Sequence, residues 1–123
     1  TTLGALKRND PVNFEKSLRL GDKISGHFVF GHVDTVITLN CRTKEKNSEK
    51  FVWKVDPDAM KFIVEKGSVA IAGVSLTVGE VSSNTFSVYI VPHTSEVTIL
   101  RSLKPGDKAN FEIDMLARYV AKQ

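Results

Sequence analysis

The stretch GVSLTVGEV (73–81) alternates apolar and polar residues almost without a break. A period of two sends successive side chains to opposite faces of an extended chain, so Val74, Leu76 and Val78 share one face and Ser75 and Thr77 the other. Such a strand must bury its apolar face against other strands, and similar text recurs along the sequence. Strands are predicted at 11–15, 27–30, 33–40, 50–55, 68–71, 74–80, 85–91 and 108–113. Turn signals separate several of them: Ala72-Gly73, Ser82-Ser83-Asn84 and Lys104-Pro105-Gly106-Asp107. Short strands at this spacing point to an all-β sandwich or small barrel.

Two helices interrupt the pattern. In VDPDAMKFIVEKG (55–67), Asp56 suits an N-cap, Pro57 the first helical position and Gly67 the stop. Met60, Ile63 and Val64 then form an apolar stripe that would plug a barrel end. A second helix is predicted to start in MLARYVAKQ (115–123), where Leu116, Tyr119 and Val120 make a stripe suited to oligomer contact.

The chain also repeats itself. Residues 1–15, TTLGALKRNDPVNFE, align without gaps to residues 98–112, TILRSLKPGDKANFE, with eight identities. Asn9 and Gly106 agree in kind, since both tolerate a left-handed turn. A fixed-offset self-match marks an internal duplication. At an offset of 97, a chain of 123 residues holds one full unit and the end of another. The expectation is a remnant of a preceding barrel plus linker over 1–22, and a complete barrel over 23–123. Residues 1–15 are then expected to lack their own barrel's partners.

A unit of about 100 residues can bury its own core. The net charge of +3 is not concentrated, and the one charged cluster, RTKEKNSEK (42–50), mixes signs and reads as a solvated loop. No nucleic-acid signature is visible. No apolar run approaches the roughly 20 residues of a membrane span. Cys41 is the only cysteine, which excludes an internal disulfide and fits a reducing compartment. One cysteine and three histidines are a poor zinc set.

Several residues could carry chemistry. The hydroxyls of Ser75 and Thr77 point the same way, about 6–7 Å apart, and could grip a polar planar ligand; a half-exposed strand in water would look the same. In ANFEID (109–114), Ala109, Phe111 and Ile113 are core-like, while Asn110, Glu112 and Asp114 face the other way. Asn13 and Glu15 recur in the first copy, but Ser17 stands where the second copy has Asp114, a residue that equally suits a helix cap. His27 and His32, five apart in SGHFVFGHVDT (25–35), would face opposite sides of a regular strand. His32 follows Gly31 and is the better functional candidate, because histidine titrates near neutrality; His27 reads as structural. Lys66 at a helix end has a full structural explanation in the helix dipole. Pro92, His93 and Thr94 end a strand and could offer backbone groups and a hydroxyl.

Together GHFVFGHVDT (26–35), KGSVAIAGVSLTVGEV (66–81), FSVYIVPHT (86–94) and LKPGDKANFEIDMLARYV (103–120) resemble the riboflavin synthase family, of the homotrimeric two-barrel kind. The resemblance implies a six-stranded antiparallel Greek-key barrel with a short helix and the start of a C-terminal helix. It implies that two molecules of 6,7-dimethyl-8-ribityllumazine dismutate to riboflavin and 5-amino-6-ribitylamino-pyrimidinedione, with no cofactor and no metal, this chain supplying one ligand-binding barrel. It further implies a cytoplasmic enzyme (plastid in a plant) with no nucleic-acid or membrane partner. By position, His32, Ser75 and Asp114 are the implied catalytic residues. Gly31, Val33, Lys66, Leu76, Thr77, Ile90, Val91, Pro92, His93 and Thr94 are the implied substrate-binding residues. A non-catalytic relative, similar to the lumazine-carrying antenna proteins of luminous bacteria, is the alternative. The polar set Ser75, Thr77, Lys66, His32 and Asp114 favours the enzyme. Composition alone would support only a small barrel that binds a partner protein. The resemblance also marks a departure: Ala72 stands where Asp often precedes the turn glycine.

Overall fold

A computed structural model describes residues 1–123. Six antiparallel strands, β1 (Thr35–Lys44), β2 (Glu49–Lys54), β3 (Ser68–Ile71), β4 (Val74–Val81), β5 (Thr85–Ile90) and β6 (Lys108–Ile113), close into a barrel in the order β1-β2-β5-β4-β3-β6. Three short helices accompany them: α1 (Pro57–Met60), α2 (Pro92–Val97) and α3 (Met115–Ala121). Two further 3₁₀ turns lie at Leu3–Ala5 and Ile99–Ser102.

The predicted alternation sets the pleat. Leu76 and Val78 of β4, Phe86 and Val88 of β5, and Ala109, Phe111 and Ile113 of β6 all turn inward. Phe51, Trp53, Phe86 and Phe111 fill the interior, and Phe86 packs on Phe111 with centroids 5.6 Å apart. Closure matters here because it leaves no unpaired strand edge.

That closure explains two corrections. Residues 11–15 and 27–30 are not strands, because the barrel offers them no free ladder. They run as straps without ladder bonds, held by side-chain hydrogen bonds instead. The charged cluster at 42–50 is mostly strand: β1 runs to Lys44 and β2 starts at Glu49, leaving a loop of residues 45–48. Arg42 and Glu49 bridge the hairpin at 2.5 Å. A register shift between Leu39 and Cys41 lets β1 bend from β6 to β2.

The first predicted helix is only one turn. Asp56 flanks α1 without a side-chain cap bond, and the following N–H groups of Phe62 and Ile63 reach back three residues, to Ala59 and Met60. Lys66 adopts a left-handed φ of 64° and turns the chain into β3. Ile63 is buried as expected, but Val64 is exposed. The strand predicted at 85–91 ends at Ile90, because Pro92 starts α2 at its first helical position. The helix at α3 is present, and its Leu116, Tyr119 and Val120 are all exposed.

Candidate functional site

The register of β3 with its neighbours lines up two rows of outward side chains. Ala70 pairs with Ser75 of β4 and with Glu112 of β6, giving one row Ser75–Ala70–Glu112. Ser68 pairs with Thr77, and continuing the Val69–Ile113 register brings Asp114 beside it, giving a second row Thr77–Ser68–Asp114. Continuing the Val78–Val88 register extends both rows onto β5, with Val91 beside Ser75 and Tyr89 beside Thr77. Strands stand about 4.8 Å apart, so each three-residue row spans roughly 10 Å.

The strap of residues 26–33 crosses the first row. At one end His27 meets Ser75: the backbone N–H of His27 donates to Ser75 Oγ at 3.3 Å, and His27 Nδ1 lies 2.7 Å from the same oxygen. At the other end the Phe30 N–H donates to Glu112 Oε1 at 2.7 Å. The covered residues are accordingly dry, with Ala70 and Glu112 both buried on an outer face. The strap fits this closely only because of Gly26, whose φ is +82° and where a Cβ would sit 2.5 Å from Ser75 Oγ. Beyond Phe30 the chain enters the barrel through Asp34, whose N–H donates to Phe111 O and whose carboxylate accepts the Ile113 N–H and pairs with Arg118.

Ser75 Oγ accepts from the His27 backbone N–H and keeps both a second lone pair and its own hydrogen, so it accepts from Nδ1–H in one imidazole tautomer and donates to Nδ1 in the other. His27 Nε2 is buried and has no partner within the chain. An unpartnered buried polar atom of this kind costs about 1–3 kcal/mol unless a water or a bound molecule pairs with it. A hydroxyl held between an N–H and an imidazole nitrogen is set up to pass a proton.

The second row opens beside a charged network. Glu80 accepts hydrogen bonds from the hydroxyls of Ser87 and of Tyr89 (2.8 Å) and lies 3.0 Å from Lys50 Nζ. The Ser87 hydroxyl, then the local backbone, Lys50 and Tyr89, hold its carboxyl down at about 2. The same carboxylate raises the pKa of Lys50 and of Tyr89.

The structure brings Ser75, Thr77, Val91 and Asp114 onto one outer surface, and passes Gly31, His32 and Val33 along its border. Asp114 also caps α3, its carboxylate accepting the Leu116 N–H at 3.0 Å, as the helix-cap alternative expected. His32 is exposed and stacks on Phe30, 5.9 Å between centroids. It touches none of the row residues by hydrogen bond; His27 does. The sequence favoured His32 because it follows Gly31 and titrates near neutrality; the hydrogen bond to the row is made by His27, and Gly26 and Gly31, both at positive φ, turn the strap out of a regular strand. A glycine directly precedes both histidines, so no local signal in the sequence singles out His27. Leu76 and Ile90 point into the core, leaving only their backbone for a ligand. Ile90 and Pro92 also border a separate cavity of about 700 Å³ with Arg42, Glu49 and Arg101. His93 and Thr94 lie in the first turn of α2 and not at a strand end. Lys66 is exposed, and its N–H donates to Val78 O next to Thr77. Ser68, Glu112 and Tyr89 join the surface without having been predicted. No cluster of three or more His, Cys, Asp or Glu side chains is placed to hold a metal, and no helix is long and apolar enough to cross a membrane.

The chain is thus a closed six-stranded barrel with a filled interior, its polar groups carried on the outer wall where a strap crosses them. The family described as "Lumazine binding domain" matches residues 30–114, and the chain belongs to that family. It is 43% identical over 122 residues to riboflavin synthase of Brucella abortus, covering 99% of this chain and 60% of that protein. It is 40% identical to riboflavin synthase of Actinobacillus pleuropneumoniae, covering 98% of this chain and 56% of that one. The chain thus spans less than two thirds of the length of these relatives. Among solved structures, LumP complexed with riboflavin superposes with a TM-score of 0.70 at 25% identity, over 76% of this chain and 50% of that one.

Proposed function

We propose that this chain is one ligand-binding barrel of a riboflavin synthase, in which two molecules of 6,7-dimethyl-8-ribityllumazine dismutate to riboflavin and 5-amino-6-ribitylamino-pyrimidinedione. The observation that carries the reading is the Ser75–His27 pair, with an unpartnered buried Nε2, at the head of a polar strip of Thr77, Ser68 and Asp114. The strip offers hydroxyls and a carboxylate to the edge of a polar ring and to a ribityl chain. The reaction needs a proton taken from the 7-methyl group and later proton transfers, and the Ser75–His27 pair can relay them, with Asp114 and His32 at the border of the surface. Residues 1–22 are read as the end of a preceding barrel plus linker, and 23–123 as the barrel itself. The exposed Leu116, Tyr119 and Val120 of α3 suit the contact of a homotrimer, and the enzyme would work in the cytoplasm.

The test is to add the ribityllumazine and follow riboflavin absorbance and fluorescence over a protein concentration series, together with equilibrium binding of riboflavin. Reversible binding is expected, weakened about tenfold by Ser75→Ala, with turnover far below that of a two-barrel protein. Orienting two reactants can be worth about 7–11 kcal/mol, and one barrel holds one of them. Absence of binding at millimolar ligand would refute the site. Binding without turnover in a two-barrel form carrying this sequence would favour a carrier similar to LumP.

A further inference from the structure

Glu112 lies on the outer wall but cannot meet a ligand there, because the strap lies over it and leaves it only 7% exposed. Its carboxylate makes a single hydrogen bond within the chain, in which Oε1 accepts the Phe30 N–H at 2.7 Å. Its neighbours on β6 grip the same segment. Phe111 O accepts the Asp34 N–H at 2.8 Å, and the Ile113 N–H donates to Asp34 Oδ2 at 2.7 Å. Three consecutive residues of β6 thus hold the strap and its exit. The other end hangs on one side chain, the Ser75 hydroxyl, which accepts the His27 N–H at 3.3 Å and lies 2.7 Å from His27 Nδ1.

Phe30 follows His27 by only three positions. Three residues reach about 11 Å at most, and Ser75 and Glu112 stand on strands two spacings apart, roughly 10 Å. The segment between the two clamps has little slack, so where Glu112 holds Phe30 sets where His27 falls against Ser75. Packing does not fix the segment instead. Phe28 and Phe30 are 56% and 54% exposed, and a Cβ at Gly31 would meet nothing within 4 Å. The chain turns just outside each clamp, at Gly26 with φ 82° and at Gly31 with φ 75°.

We infer that Glu112 is a positioning residue: through the strap it sets the His27–Ser75 pair, and with it the binding competence of the polar strip, without touching a ligand itself. The inference deepens the reading of that site and rests on it.

Three variants test it. Glu112→Gln keeps an acceptor oxygen, and Glu112→Ala removes it. Glu112→Met removes it while filling the space, so an effect common to Ala and Met comes from the lost acceptor and not from a cavity. Nitrogen NMR of the chain without ligand reads the His27 imidazole, with Ser75→Ala marking the Nδ1 resonance of a ring that has lost its partner. The Ala and Met variants are expected to move Nδ1 towards that position. They should also speed amide exchange at both Phe30 and His27 about tenfold or more, while Gln stays at the wild-type values. An unmoved Nδ1 resonance in Ala and Met, or faster exchange at Phe30 alone, overturns the inference, because Glu112 would then hold only its own end of the strap. A displacement in Gln as large as in Ala overturns it as well. The second arm is equilibrium binding of riboflavin, expected to weaken about tenfold in the Ala and Met variants and less than about twofold in Gln. Unchanged binding in Ala and Met, with Nδ1 displaced, overturns the claim that the strap sets the strip. A wild-type chain that binds no riboflavin refutes the reading of the site instead, and the His27 resonance still decides whether Glu112 positions the pair.

Discussion

At the scale of single residues, two glycine-type positions decide how the wall of the barrel is dressed. Gly26 lets the strap reach Ser75, so Gly26→Ala should cost roughly 1–3 kcal/mol through a strained φ and a displaced strap. The matching functional sign would be loss of riboflavin binding at denaturant concentrations where the fold persists. Ala72 is the opposite case. It holds φ at 50° with a Cβ, in the turn where the resemblance led one to expect Asp. Ala72→Gly should stabilise the protein by about 1 kcal/mol, read as a higher urea midpoint at unchanged slope. Residue types at this scale were only partly legible in the sequence. Ser75 and Thr77 stood out because a period of two is a local property. The partnership of His27 with Ser75 did not, since it joins residues 48 positions apart and depends on how two glycines turn a strap.

At the scale of elements, strands were legible wherever ladder bonds alone set the conformation. β3, β4 and β6 fall where alternation put them. The straps were misread as strands because their apolar text resembles a strand's, yet the first is held by its own Asn13 side chain, which accepts from Ile99 N–H and donates to Ala72 O, and the second by the side chains of Ser75 and Glu112. The first helix was overestimated because a proline start and a glycine stop say nothing about the turns between. A pH prediction belongs to the β2–β5–β4 surface. Glu80 is held at about 2 in the folded state, below the unfolded value of roughly 4.3. A depressed carboxyl contributes stability that is present above the unfolded value and fades as the pH falls towards about 2. Thermal unfolding followed between these limits should show an acid slope that Glu80→Gln flattens. An unaltered slope would show that the Ser87, Tyr89 and Lys50 contacts do not hold the Glu80 carboxyl below its unfolded value.

At the scale of the whole molecule, the barrel depends on Phe111, which lies at the seam where β6 meets β1 and β3. Phe111→Ala should cost about 3–5 kcal/mol by chemical denaturation, whereas Phe14→Ala, its counterpart in the first copy, should cost well under 1 kcal/mol in this chain. The contrast measures how differently two identical residues are used. The duplication was legible in the sequence from eight shared letters, but the reciprocal bonds between its copies, Thr2 N–H to Asn110 Oδ1 and Ile99 N–H to Asn13 Oδ1, were not, because a one-dimensional alignment carries no information about which copy touches which.

The filled interior has one more consequence. Phe51, Trp53, Phe86 and Phe111 leave no lumen, so a molecule that settles on the outer strip can arrive and depart without any strand pair parting. Ligand exchange is then a matter of the strap and of whatever lies opposite, on its own clock, while the wall behind it keeps the slow clock of global unfolding. Selection could alter the residence time of a ligand by editing residues 26–33 and leave the lifetime of the barrel untouched.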